Sequence, residues 1–185
     1  LGAPLPTVNG MPGVNFAVSG SFQNPVAESS NSILITDNDL TNGYKSGSDL
    51  YQAPSGLGSS GPSGSAFFQW GTPSGSSDHS SALWFKPYSV SNVVADQKFD
   101  IGSIYYRNGT IQSGTGANAV DLSLTFRFSS NSSMTTVFTG SLINTPNTGT
   151  ADQQADYVLF EAPFVPTTYK DSQGNTYYHE LSFRE

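Results

Sequence analysis

The chain has 185 residues, enough for one domain whose core needs no covalent staples. It holds no cysteine, which excludes a disulfide scaffold, thiolate zinc sites and cysteine nucleophiles. Only 11% of residues are charged and the net charge is −7, so little is present to neutralise phosphate, and neither nucleic acid nor membrane insertion is expected.

Twelve Phe, nine Tyr, 19 Gly and 11 Pro, with many Val, Ile, Thr and Ser, describe short strands joined by turns. Residues 1–13 contain three Pro and read as an extended N-terminal arm. Val14, Phe16, Val18, Gly20 and Phe22 then alternate with small or polar residues, the period of a half-buried strand. Residues 33–35 form a short apolar strand. Residues 36–65 are rich in Ser, Gly, Asp and Asn and read as one long loop. Strands follow at 66–71 and 82–86, and Gly102 breaks the phase between Phe99-Ile101 and Ile104-Tyr106 as a bulge would. The strongest alternation runs over 120–128, with Leu122, Leu124 and Phe126 on one face and Ser123, Thr125 and Arg127 on the other. Strands at 134–143, 157–160, 165–169 and 177–183 complete the set. The pattern predicts an all-β, antiparallel β-sandwich or jelly roll of roughly ten strands over residues 14–185, with no significant helix.

The segment Gly56-Leu57-Gly58-Ser59-Ser60-Gly61 matches a dinucleotide fingerprint in letters but lacks the strand before it and the helix after it. Asp78-His79-Ser80 has the residue types of a hydrolase triad side by side, where His cannot touch both partners. His179 shares a register with Tyr177, Leu181 and Phe183 and reads as a half-buried structural histidine. Glu28, Glu161 and Glu180 are the carboxylates from which a glycosidase pair would have to come, and no spacing singles out two of them. Calcium is a candidate ion for two acidic loops, one with Asp37 and Asp39, the other with Asn144, Asn147, Asp152 and Asp156. Each also reads as a solvated turn. Sequons at Asn108 and Asn131 would be glycosylation sites in a eukaryotic host.

Sugar faces stack on flat rings, and Trp84, Tyr88 and the pairs Tyr105-Tyr106 and Tyr177-Tyr178 are candidate platforms. In each pair one ring must face away from the core if the strand is regular. Ligand-binding candidates are therefore Trp84, Tyr105, Tyr106 and Tyr178, with Arg127 from the outward face of the 120–128 strand.

An ordered series runs through the second half: Phe68-Gln69-Trp70-Gly71-Thr72-Pro73, Phe99-Asp100-Ile101-Gly102-Ser103-Ile104, Asn108-Gly109-Thr110-Ile111, the stretch 114–128, Leu142-Ile143-Asn144-Thr145-Pro146-Asn147 and Ala155-Asp156-Tyr157-Val158. Over about residues 65–183 this resembles the choice-of-anchor K domain of exported bacterial proteins. The resemblance implies a secreted β-domain shown at the cell surface, with no catalytic motif to carry over. The start at Leu1 fits removal of a leader or pro-segment, and the chain ends at Glu185 without an anchor signal.

Three functions are thus in view. The first is a secreted, non-catalytic binding or adhesion module for carbohydrate or other cell-surface material. The second is a structural subunit that self-associates through its N-terminal arm. The third is a glycoside-active enzyme with paired carboxylates.

Overall fold

The computed structural model describes residues 14–36, 66–94, 97–128, 133–145, 149–150, 156–161, 167–170 and 174–184. The arm 1–13 and nearly all of the predicted 36–65 loop lie outside them, as do Asp37, Asp39, Asn131, Asn147, Asp152 and the 56–61 glycine motif. Among the described residues there is no helix, and hence none long and apolar enough to cross a membrane.

The strands are β1 (Val14–Ala27), β2 (Leu34–Thr36), β3 (Ala66–Trp70), β4 (Ser81–Pro87), β5 (Ser89–Val93), β6 (Gly102–Arg107), β7 (Ala117–Phe128), β8 (Ser133–Ile143), β9 (Tyr157–Glu161), β10 (Thr167–Lys170) and β11 (Thr176–His179). They form a five-stranded sheet in the order β5-β1-β7-β8-β9, a four-stranded sheet in the order β2-β3-β4-β6, and the two-stranded β10-β11. Every pairing is antiparallel. The chain passes from β4 of one sheet to β5 of the other through Tyr88 alone, so the sheets are joined along that side and curl toward a half-barrel.

One apolar core lies between the two larger sheets, giving a sandwich-like arrangement. From the five-stranded sheet come Phe16, Val18 and Phe22 of β1, Val120 to Phe128 in alternation on β7, and Met134, Phe138 and Leu142 of β8. From the four-stranded sheet come Ala66, Phe68 and Trp70 of β3 and Leu83 and Phe85 of β4. The period of two explains both sets, since alternate side chains of a strand share a face. Leu122, Leu124 and Phe126 are buried as predicted and Arg127 is exposed. Ser123 points outward opposite Ser21 and Val137 yet is also buried, because a short side chain in a central strand is shielded by its neighbours.

Phe85 of β4 reaches across to the five-stranded sheet at Gly20. A Cβ built on Gly20 would lie 2.5 Å from its ring, and one built on Gly102 would lie 2.5 Å from its opposite edge. Gly102 is therefore the first residue of β6, seated beneath an aromatic ring, and not the bulge expected from the phase break. The C-terminal segment adds one ring against β8 and β9: Phe183 lies 5.0 Å from Phe138 and 5.1 Å from Phe160. The last strand ends at His179, short of the predicted 183. β5 was not expected at all; of its residues only Val90 is buried.

These contacts make stability testable at single atoms. Leu124→Ala should cost about 2–5 kcal/mol, the range for a buried leucine. Thr125→Ala should cost well under that, because no core volume is lost. Gly20→Ala must displace the Phe85 ring and should cost about 1–3 kcal/mol by overpacking. Urea denaturation of the three variants measures all of this, and equal losses for Leu124→Ala and Thr125→Ala would contradict the assigned faces.

Candidate functional site

On β4, Leu83 and Phe85 point into the core, so Ala82, Trp84 and Lys86 point to the opposite face of the four-stranded sheet. The strand registers then assemble that outer face in rows. Ile35, Gln69, Ala82 and Arg107 form one row across β2, β3, β4 and β6. Phe67, Trp84 and Tyr105 form the next, and Lys86 and Ser103 the third.

The rows grade from buried to accessible. Ile35, Phe67, Ala82 and Trp84 make a second apolar cluster separate from the core. Toward β6, Lys86, Ser103 and Arg107 are half-buried and Tyr105 is exposed. The Arg107 guanidinium carbon stands 5.3 Å from the centre of the Trp84 ring, within cation–π range. Its Nε donates to the carbonyl of Ser80 at 3.0 Å. Burial lowers the Arg107 pKa from its ordinary value, though a guanidinium stays charged at any physiological pH.

Gln69 lies deepest on this face. Its side chain is 1% exposed, and neither its amide oxygen nor its amide nitrogen has a hydrogen-bond partner. The indole N–H of Trp84, also 1% exposed, is likewise unpartnered. An unmet buried polar group costs about 1–3 kcal/mol, so these atoms represent hydrogen-bonding capacity that the strands themselves do not use. Gln69 and Trp84 are covered, and the accessible edge of the face is Tyr105 with the half-buried Lys86 and Ser103: a phenol ring, an ammonium and a hydroxyl.

Two of the sequence candidates, Trp84 and Tyr105, are thus brought together; the others are not. Tyr106 stands opposite Leu83, on the core side. Its ring stacks on Trp70 at 6.2 Å and its hydroxyl donates to Asp156 at 3.5 Å, so it does not share a face with Trp84 and Tyr105, although it is exposed to the same degree as Tyr105. Arg127 is exposed on the far face of the other sheet, opposite Ala17 and Ser133. Tyr178 is exposed on β11, away from both. Gln69, Lys86 and Arg107 were missed. Their signal was the same period of two: Gln69 follows Phe67, Lys86 follows Trp84 and Arg107 follows Tyr105 by two positions.

The remaining candidates take structural roles where they are described. Asp156 accepts the Thr145 backbone N–H at 2.6 Å and its hydroxyl at 3.0 Å, while Asn144 donates to the carbonyl of Ala117 at 3.1 Å. Among the described residues no group of three or more acidic or histidine side chains could hold a metal ion. Glu28 accepts the Gly116 N–H at 2.9 Å, Glu161 ends β9, and Glu180 is exposed beyond β11. Ser80 of the apparent triad is buried and donates to the Gly71 carbonyl at 2.7 Å, while His79 is exposed. The His179 side chain lies outside the described part. Asn108 is exposed just beyond Arg107. An open depression of about 270 Å³ beside β5, lined by Ser89, Asn92, Gln97, Phe99 and Asp100, gathers no comparable chemistry. Comparison with protein-family models, curated proteins and solved structures finds no match to the chain.

Tyr106 supplies a pH test of the packing behind this face. Burial, then the neighbouring Asp156 carboxylate and its hydrogen bond, push the phenol pKa well above its ordinary value. A group raised in the folded state contributes stability that is intact below its unfolded pKa, about 10, and is lost as pH rises past it. Stability should therefore fall above about pH 10, and more steeply in the parent than in Tyr106→Phe. Denaturation midpoints of the two proteins across that range measure it. Parallel curves would show that Tyr106 is not held as described.

Proposed function

We propose that the protein is a secreted, non-catalytic binding domain that holds carbohydrate at the outer face of its four-stranded sheet. The observation that carries this reading is the exposed ring of Tyr105 on that face, with the half-buried Lys86 and Ser103 beside it. Sugars present apolar C–H faces and hydroxyls that both donate and accept; an exposed ring beside hydroxyl and ammonium groups complements both. The sparse charge and abundance of hydroxyl and amide side chains support an extracellular setting. A jelly-roll sandwich and membership of the choice-of-anchor K family belong to the same proposal, supported by the curl between the sheets and by the ordered segments on β3, β6, β7 and β8.

Binding to a panel of plant, fungal and bacterial polysaccharides tests it. Tyr105→Ala should weaken binding by about tenfold or more, in line with loss of an aromatic anchor. Tyr178→Ala and Arg127→Gln should leave it unchanged. Binding that instead depends on Tyr178 or Arg127 would move the site elsewhere and overturn the assignment.

A second reading, self-association, is supported by the β9 edge. Among the described residues β9 ends the five-stranded sheet, and Val137, Ile143, Tyr157 and Leu159 expose 45 to 55% of their surface on the outer side of β8 and β9. An open edge beside exposed apolar residues invites strand pairing with a second copy. Light scattering should then show dimers that Leu159→Lys abolishes, whereas a monomer at high concentration would exclude this reading.

A further inference from the structure

A sheet edge presents unpaired N–H and C=O groups to any extended chain, and folded proteins blunt it with shortness, charge, proline or a bulge. Among the described residues the two larger sheets have four edge strands, β5, β9, β2 and β6. Three of them are blunted. β2 has three residues. β5 is polar apart from two valines, and Asn92 leaves the extended conformation at a φ of 57°. β6 ends on the charged Arg107, and its Tyr106 is already bonded to Asp156. β9 is different: Tyr157, Val158, Leu159 and Phe160 hold no charge or proline, the register with β8 is unbroken, and Glu161 alone is charged. The core also runs out to this edge. On β8 the inward residues Phe138 and Leu142 are 1% and 6% exposed, whereas Val158 and Phe160 of β9, packed on the same core, are only half-buried. Apolar surface is thus left open along the line where a further strand would lie.

We propose that this edge is closed by β9 of a second copy, paired antiparallel about a two-fold axis at Leu159, so that two five-stranded sheets join into one. This rests on the self-association reading above and adds to it a register and a closed symmetry. A two-fold axis normal to the sheet keeps both cores on one side, so outward residues of β9 must meet outward residues of its copy. Of the registers that satisfy this, the one centred on Leu159 alone pairs all five residues of the strand. It sets Leu159 beside Leu159 of the second copy on the outer face, and Tyr157 beside Glu161 of the second copy. On the inner face it sets Val158 beside Phe160 of the second copy, which covers the half-buried ends of both cores. The two Glu161 carboxylates then stand about 13 Å apart along the strands. A register centred on Glu161 would bring like charges directly opposite each other, which is destabilising. Pairing of this kind uses the same edge on both copies, and the blunted β5 edges at the far ends stop further growth. The product is a closed dimer and not a fibre. Five residue pairs make a smaller seam than a standard interface, which buries about 800 Å² per partner, so the dimer forms in a concentration-dependent way.

The chain has no cysteine, so a single substitution supplies a specific crosslink. Directly opposed residues of an antiparallel pair have Cα atoms about 4.5–5.5 Å apart, within the about 4.4–6.8 Å that a disulfide spans. Leu159→Cys should therefore give a covalent dimer on mild oxidation, read on a non-reducing gel. Tyr157→Cys is the control, because Tyr157 and Leu159 are 51% and 55% exposed and chance collisions would crosslink both alike. In the proposed register position 157 lies about 13 Å along the strands from its counterpart, so this variant should remain uncrosslinked. Light scattering of the parent over rising concentration should show monomer passing to dimer and nothing larger, and melting curves establish that both variants are folded. Dimers in scattering without the Leu159→Cys crosslink, or with an equal crosslink from Tyr157→Cys, overturn this register and leave self-association standing. Species that grow beyond the dimer overturn the closed two-fold. A parent that stays monomeric at high concentration overturns both this pairing and the self-association reading itself.

Discussion

The ring of Phe85 is the contact on which the rest of the structure depends. It bridges the two sheets at a point where each offers a glycine, Gly20 on β1 and Gly102 on β6, and a methyl group at either position would meet it at 2.5 Å. That close approach fixes which face of β4 is inside. With Leu83 and Phe85 committed to the core, the pleat commits Ala82, Trp84 and Lys86 to the other side. The partner strands then follow by register: Phe67 and Gln69 from β3, Tyr105 and Arg107 from β6. A slip of one residue would bring Trp84 and Lys86 inward and dissolve the candidate site along with the core. Stability and function are in this sense set by one alternation.

The two faces of the four-stranded sheet are unlike in chemistry. The inner face is closed, with aromatic rings in contact from Phe68 to Trp70 and from Trp70 to Tyr106. The outer face holds the unmet amide of Gln69 and indole N–H of Trp84, where the inner face leaves only the indole N–H of Trp70 unmet among the described residues. A buried amide without partners costs more than a leucine of similar size would in its place, so its presence in β3 is hard to explain by folding alone. The accessible part of that face lies toward β6, where Tyr105 is exposed and Lys86 and Ser103 are half-buried.

Much of this was legible in the sequence. The alternation of residues 120–128 and 134–143 is that of strands buried on one face, and both strands appear with those faces. β3 and β4 are different: every residue of β3 and the first five of β4 are buried, so their sequence reads as a continuous apolar run without a visible inside and outside. That is why Trp84 stood out as a lone aromatic while Gln69 passed unnoticed beside it. β5 escaped because its Ser-Val-Ser-Asn-Val offers one buried residue, and Asn92 adopts a positive φ of 57° that breaks the alternation. Arg127 and Tyr105 both point away from the core, but a period of two gives a face and not a sheet. A sandwich-like fold has two outer faces, and the pattern cannot tell them apart. Tyr106 was nominated beside Tyr105 although only one of two neighbours can face outward, and it is the phase of Leu83, not the aromatic pair itself, that decides between them.

The central claim is that ligand meets the outer face of the four-stranded sheet, on the side of Trp84 and away from the core. The chain's two tryptophans stand on opposite faces of that sheet, Trp70 within the core and Trp84 outside it. Their indole N–H resonances can be followed by NMR in one titration with an oligosaccharide that the protein binds, each assigned by substitution with Phe. The account predicts that the Trp84 signal moves in proportion to occupancy while the Trp70 signal stays in place. Saturable binding that shifts Trp70 alone, or that moves neither indole, would contradict it.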